Sequence, residues 1–403
     1  MLLTGGLVFD GNAIRSGLGV LIAGEAITHV EPVAAFAGYA GPVLDTAGGT
    51  VLPGLIDAHV HVLLPPGVDA FQKIAGWGPA DFMVQGVENL RTFVLEGIAA
   101  VREMSGQQYL EMTLRGAVAA GRVLGPRLRC AGKHIIMSGG HVPHTARIAD
   151  GPDEVRKATR EQIGAGADHI KIMASGGVFS PHTRPEDAHL GEPELAAAVD
   201  EARRFGRKVA SHALGAAAVR NAVNAGIASI EHGFWIEDDV VEAMRTRGTW
   251  LVPTLSVTMG GFRYHRDALP AFAVPKLEAA RDAHLASFRR AYRAGVRIAM
   301  GTDFPNIRLG ETLGQELGYM VEAGMTPLDA LVAATTNGAD LLDLPTHGRI
   351  APGAAADLLV VGGDPSQDIA RVAKARHHRA VIHRGRVLPR DPLAAQAAHA
   401  AAR

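Results

Sequence analysis

The stretch Val51-Leu52-Pro53-Gly54-Leu55-Ile56-Asp57-Ala58-His59-Val60-His61 decides how the chain is read. Residues 55–62 form an apolar run opened by Pro53-Gly54, the pattern of a buried strand, and the period of two in a strand turns His59 and His61 to the same side. From Val51 onward, further apolar runs alternate with helical stretches, the sign of βα units and a parallel sheet. Strands are expected at 55–62, 99–103, 127–131, 169–173, 209–212, 229–232, 250–255 and 298–303. Helices are expected between and after them at 81–96, 109–120, 152–165, 193–204, 216–225, 238–246, 275–294 and 326–334. Eight such units match a (β/α)8 TIM barrel, whose active sites lie at the carboxyl ends of the strands, with a doubly wound sheet as the alternative.

Outward from that core, residues 1–52 read as short strands with glycine turns, as in Leu7-Val8-Phe9 and Gly19-Val20-Leu21-Ile22. After Leu344 the strand pattern returns in Asp357-Leu358-Leu359-Val360-Val361 and Ala380-Val381-Ile382-His383. The expected organisation is a small β unit from 1–53 and 345–390, a barrel from 54–344, and a peripheral tail from 391–403. The 403 residues are 47% hydrophobic and 20% charged, enough apolar surface to exclude wholesale disorder. Forty basic residues oppose 41 acidic ones, for a net charge of −1. That balance supplies no field for nucleic acid or anionic lipid, so the expected partner is a small-molecule substrate, together with further copies of the chain in a homo-oligomer. The single cysteine, Cys130, excludes an intrachain disulfide and a thiolate metal cluster, and with no leader-like segment or long apolar run a soluble cytoplasmic protein is expected.

The 18 histidines carry the chemistry. His59 and His61 could chelate one metal, or be satisfied core histidines. Four residues at the ends of other strands supply context. In His169-Ile170-Lys171-Ile172-Met173, alternation sets Lys171 opposite the isoleucines and aims its ammonium inward. Burial there lowers its pKa, and a neutral amine can add carbon dioxide to form a carbamate, an anionic ligand for two metals; pairing with an acid is the alternative. His212 and His232 end the fifth and sixth strands, and Asp303 the eighth, where it could bind a metal and exchange protons, or cap a helix. His59, His61, Lys171, His212, His232 and Asp303 together form an oxygen and nitrogen ligand set for two divalent ions.

These residues, with Val51 to His61 and with Gly348-Arg349-Ile350 through Ala356-Asp357-Leu358, resemble the amidohydrolase superfamily of metal-dependent hydrolases across nearly the whole chain. The resemblance implies a composite β-sandwich from the two termini beside the barrel. It also implies that His59, His61 and Asp303 hold the more buried metal, that His212 and His232 hold the more exposed one, and that carbamylated Lys171 bridges. Ser138-Gly139-Gly140-His141 and Lys171 through Val178 are similar to the imidazolonepropionase-related branch with its Xaa-Pro dipeptidases. Lys171 argues against imidazolonepropionase itself, which resembles a single-metal design.

The expected reaction is hydrolysis of an amide in a dipeptide or N-acyl amino acid, with zinc as the metal, hydroxide as the nucleophile and Asp303 as the proton shuttle. His141 is a candidate donor to the carbonyl oxygen. Arg184, Leu214 and Trp235 are candidate substrate contacts, Arg184 for a carboxylate, beside His134, His144 and the segment 263–265. A carbamate, urea, lactam or ester substrate is the enzymatic alternative, and a non-catalytic binding barrel the remaining one.

Overall fold

The computed structural model describes residues 1–305 and 312–391; the expected tail lies almost wholly outside them. Parallel strands form the centre. Arg127–Cys130, Ile98–Glu103 and Leu55–Val60 make one three-stranded sheet. Ile135–Ile136, Ile170–Met173, Val209–Ala213, Ser229–His232 and Trp250–Val252 run parallel in a second, with Arg147–Ile148 at its edge. The layout is an α/β fold of parallel strands and intervening helices. Seven of the eight expected strands are present within a few residues of the sequence reading.

The eighth, 298–303, is a correction. It forms no continuous ladder but lies between Trp250–Val252 and Leu55–Val60, taking Leu251 N–H on Arg297 O (2.9 Å) on one side and giving Asp303 N–H to His59 O (2.8 Å) on the other. Ala299 N–H also bonds Leu251 O at 3.0 Å and Met300 O accepts Ala58 N–H at 2.8 Å, but other groups go elsewhere: Met300 N–H bonds Ala333 O at 3.0 Å, and Ile298 O accepts the Asn337 side-chain amide at 2.8 Å. Asp303 then turns left-handed at φ 60°, which ends the extended run.

The helices fall where caps and breakers place them. Gly151–Ala165 opens on Pro152 with Asp153 and Glu154 in its first turn and stops at Gly166, φ 102°. Glu192–Arg204 has Pro193 in its first turn, a Glu194 carboxylate that accepts Gly191 N–H at 2.9 Å, and Arg203 and Arg204 in its last turn.

Strands from both ends of the chain share a sheet: Leu358–Val361 pairs antiparallel with Thr50–Pro53, which pairs parallel with Leu7–Phe9. Alternation explains its placement. Leu358 and Val360 pack with Leu3, Val20 and Ile27 of the amino-terminal sheet, while Leu359 and Val361 join the main core. Among the described residues no helix is long and apolar enough to cross a membrane.

Candidate active site

The six expected ligands line one cavity at the carboxyl ends of the parallel strands, together with His134, His141 and Leu214. Alternation along Leu55–Val60 delivers His59 and His61, with ring centres 5.5 Å apart. Asp303 Oδ1 lies 3.4 Å from His59 Nε2 and 3.0 Å from His61 Nε2, and these three side chains converge closely enough to hold a metal ion. His232 lies tilted against His59 (ring centres 4.9 Å) and edge-on to His212 (4.8 Å), so the imidazoles form a continuous wall. Three residues here adopt left-handed backbone without being glycine: His232 at φ 71°, Thr254 at φ 48° and Asp303 at φ 60°. Each such residue costs about 1–3 kcal/mol, and its persistence at a strand end aims a side chain that straight extension would direct elsewhere.

Hydrogen bonds fix the rings. His59 Nδ1 donates to Glu231 Oε2 at 2.8 Å, so its Nε2 presents a lone pair toward Asp303. Glu231 is itself held by Arg102 Nη2 (2.8 Å) and Ser229 Oγ (2.6 Å), and Arg102 Nε reaches back to Ala58 O at 2.7 Å. His212 Nε2 donates to Gly176 O at 3.0 Å and so keeps a lone pair on Nδ1, while His232 Nδ1 pairs with Thr254 Oγ1 at 2.6 Å. Asp57 accepts Thr302 Oγ1 (2.6 Å), Thr302 N–H (3.0 Å) and His59 N–H (3.2 Å), tying the first strand to the loop that carries Asp303.

Burial keeps the rings of His59, His212 and His232 neutral. It holds His59 and His232 far below the usual imidazole range and brings His212 down to about 3, with the Lys171 charge acting in the same direction. Lys171 is itself buried and is pulled down to about 8 by the cost of burying its charge, against the attraction of Glu231 and Asp303. This donor set fits divalent metal ions. Neutral imidazoles offer lone pairs, and without a cation the His59 Nε2 lone pair would face a carboxylate oxygen at 3.4 Å.

His141 sits on the loop after Ile135–Ile136, its ring against Gly177, where a Cβ would stand 2.3 Å from it. Ser180 Oγ accepts Val142 N–H at 3.1 Å and lies 2.7 Å from His141 Nδ1. With the Ser180 hydroxyl as donor to Nδ1, the ring hydrogen of a neutral His141 lies on Nε2. The loop carrying Gly177 and Ser180 is clasped from another helix, Ala273–Arg293, by Lys276, whose ammonium donates to Ser180 O (2.7 Å), Thr183 O (2.5 Å) and Gly177 O (3.4 Å).

Two expected substrate contacts lie outside the cavity. Arg184 is on the surface, its guanidinium engaged by Asp187 at 2.7 Å. Trp235 is displaced because His232 and Gly233 are consecutively left-handed; the turn sends Phe234 to the cavity wall and Trp235 behind it. His144 is exposed, and Arg263 pairs with Glu322 at 2.8 Å. Sequence reasoning did not single out Glu231, Arg102, Phe234, Ser180 or Lys276. For Glu231 and Arg102 a signal existed, since charged residues inside otherwise apolar strands must find partners.

The amidohydrolase family pattern matches residues 50–388. Ochratoxinase of Aspergillus niger is 31% identical over 351 residues, covering 79% of this chain and 71% of that protein. Among solved structures, a Xaa-Pro dipeptidase with methionine bound in its active site is 30% identical, with a TM-score of 0.85 over 96% of this chain and 98% of that one. A prolidase complexed with N-methylphosphonate-L-proline is 31% identical, with a TM-score of 0.86 over 97% and 99%. The chain belongs to the amidohydrolase family and is a hydrolase.

Proposed function

We propose that this hydrolase cleaves the amide bond of a dipeptide or N-acyl amino acid at a centre of two divalent metal ions, in a cytoplasmic enzyme built as a (β/α)8 barrel (54–344) with a terminal β-sandwich (1–53 and 345–390). His59, His61 and Asp303 would hold one ion, His212 and His232 the other, and Lys171, as its carbamate, would bridge. Two such ions, zinc by expectation, would supply Lewis acidity for the scissile carbonyl and for the attacking water. The observation that carries the reading is the convergence of all six side chains on one cavity, with the His59 lone pair turned toward Asp303 by Glu231.

The chain's own residues then divide the work. Asp303 accepts the proton of the attacking water on its carboxylate and delivers it to the leaving nitrogen, without which amine expulsion is slow. His141, protonated on Nε2 by virtue of Ser180, donates to the carbonyl oxygen as negative charge grows there. Leu64, Phe71, Val178, Phe179 and Phe234 wall the cavity with apolar surface, displacing water from the reacting groups. The relatives named for Xaa-Pro and proline substrates support an amide with a small acyl group.

A hydrolysis screen of the metal-reconstituted protein against dipeptides, N-acyl amino acids, carbamates, ureas, lactams and esters tests this. Turnover confined to peptide-like amides is expected. Turnover confined to carbamates, ureas, lactams or esters would replace it with the second reading, and turnover of none would overturn both.

A further inference from the structure

One polar corner of the cavity belongs neither to the ligand set nor to the seat of His141. Ser105, just past Ile98–Glu103, His134, just before Ile135–Ile136, and Thr145, on the loop after that strand, all line the cavity and are buried. Their protons can be assigned from the hydrogen bonds. His134 Nε2 lies 2.9 Å from Val142 O, and a carbonyl only accepts, so Nε2 carries the hydrogen. Burial brings His134 down to about 3, leaving it neutral with a lone pair on Nδ1. Ser105 Oγ, 2.6 Å from that Nδ1, must therefore donate to it. Thr145 Oγ1 lies 2.9 Å from Ser105 Oγ and 3.4 Å from His134 Nδ1, and its one proton stays inside the corner whichever it chooses. What remains for a ligand is hydroxyl lone pairs.

We propose that Ser105 and Thr145 form an acceptor-only corner that reads the α-nitrogen, as ammonium or N–H, of an α-aminoacyl group on the acyl side of the scissile amide. The inference rests on the hydrolase reading above and narrows its substrate class. The acyl side follows from His134 bonding Val142, the residue next to His141. With the scissile carbonyl oxygen at His141, the α-nitrogen, two bonds from the carbonyl carbon, is the substrate nitrogen assigned to the corner. A carboxylate there would meet oxygen lone pairs. Among the described residues lining the cavity, Lys171, taken up as the bridging carbamate, is the sole lysine or arginine, so no cationic side chain is left to pair with a carboxylate there.

The test compares L-alanyl-L-proline, propanoyl-L-proline and succinyl-L-proline, which differ at the α-nitrogen position or replace it with an acid. The alanyl compound should exceed the propanoyl one in kcat/KM by about 10- to 100-fold, the worth of a hydrogen bond to a charged group, with succinyl slowest. Thr145→Val and Ser105→Ala should compress the alanyl preference toward unity with metal content unchanged, and Thr145→Ser should restore it. A propanoyl or succinyl rate equal to the alanyl rate, or a preference the variants leave intact, would overturn the assignment. If no proline conjugate is cleaved, calorimetric titration of L-alaninamide and propanamide reads the corner without turnover. Tighter alaninamide binding that Thr145→Val abolishes supports the corner even where the hydrolase reading fails, and equal binding overturns it.

Discussion

Gly177→Ala isolates the contribution of His141 without replacing a ligand or a titratable group. The added Cβ would stand 2.3 Å from Cε1 and Nε2 of His141 and 2.6 Å from Nδ1, whereas ordinary contact begins at 3.4 Å. Backbone on both sides of residue 177 is pinned, by Thr183 Oγ1 on its N–H at 3.1 Å and by Lys276 on its carbonyl, so the ring must give way by about 1 Å. That displacement stretches the 2.7 Å Ser180 bond beyond useful length and takes Nε2 off the carbonyl oxygen. A misplacement of about 1 Å in a catalytic group costs roughly 10²-fold, and loss of an oxyanion donor about 10²- to 10³-fold. Steady-state kinetics on an amide found in the screen should show this loss mainly in kcat, with metal content and melting temperature close to wild type. Combined with His141→Ala, the second change should add little, because both remove the same interaction. Wild-type kcat in Gly177→Ala, or full additivity in the double variant, would refute the role given to His141.

Asp303→Asn keeps an oxygen at the cluster but removes the proton shuttle, so kcat should fall about 10²- to 10⁴-fold with a smaller change in KM; an unchanged kcat would place the shuttle elsewhere. Lys276→Met removes three ammonium bonds to the 177–183 loop, and chymotryptic cleavage at Phe179 should accelerate while Lys276→Arg restores protection; equal cleavage rates would show the clasp to be idle. Asp357 gives a pH dependence. Burial alone would raise its carboxyl, but the hydrogen bond and charge of His383 at 3.0 Å and the Arg384 N–H at 2.8 Å outweigh that and hold it below 3.8. A depressed folded-state pKa adds stability that is present above the unfolded value and lost as pH falls through the folded one. Denaturant titrations should therefore find Asp357→Asn less stable at neutral pH and flatter in its acid limb below pH 3.8, whereas parallel pH profiles would contradict the ion pair.

The candidate metal ligands are legible because they obey local rules. His59 and His61 follow from strand alternation, and the βα boundaries from Pro, Gly and acidic residues at helix ends such as Pro152, Gly166 and Pro193. What escaped depends on distance along the chain or on local departures from those rules. Glu231 meets His59 across 172 residues and Arg102 across 129, pairings no periodicity encodes. Phe234 took the place expected of Trp235 because two left-handed residues precede it; His and Asp are among the non-glycine types enriched at positive φ, but that enrichment is too weak for the sequence to mark His232 or Asp303 as left-handed. Arg184 reads as a free cation in a loop, yet Asp187 three residues on claims it. The eighth strand was found in place but not in form, since its hydrogen-bonding groups are shared with Ala333 and Asn337.

Elemental analysis of the protein purified after expression with carbonate and added zinc tests the central claim most directly. The six converging side chains predict about two divalent ions per chain in wild type and loss of the second in Lys171→Ala, where the bridging ligand is gone. One ion or none in wild type, or two retained in Lys171→Ala, would contradict the binuclear centre.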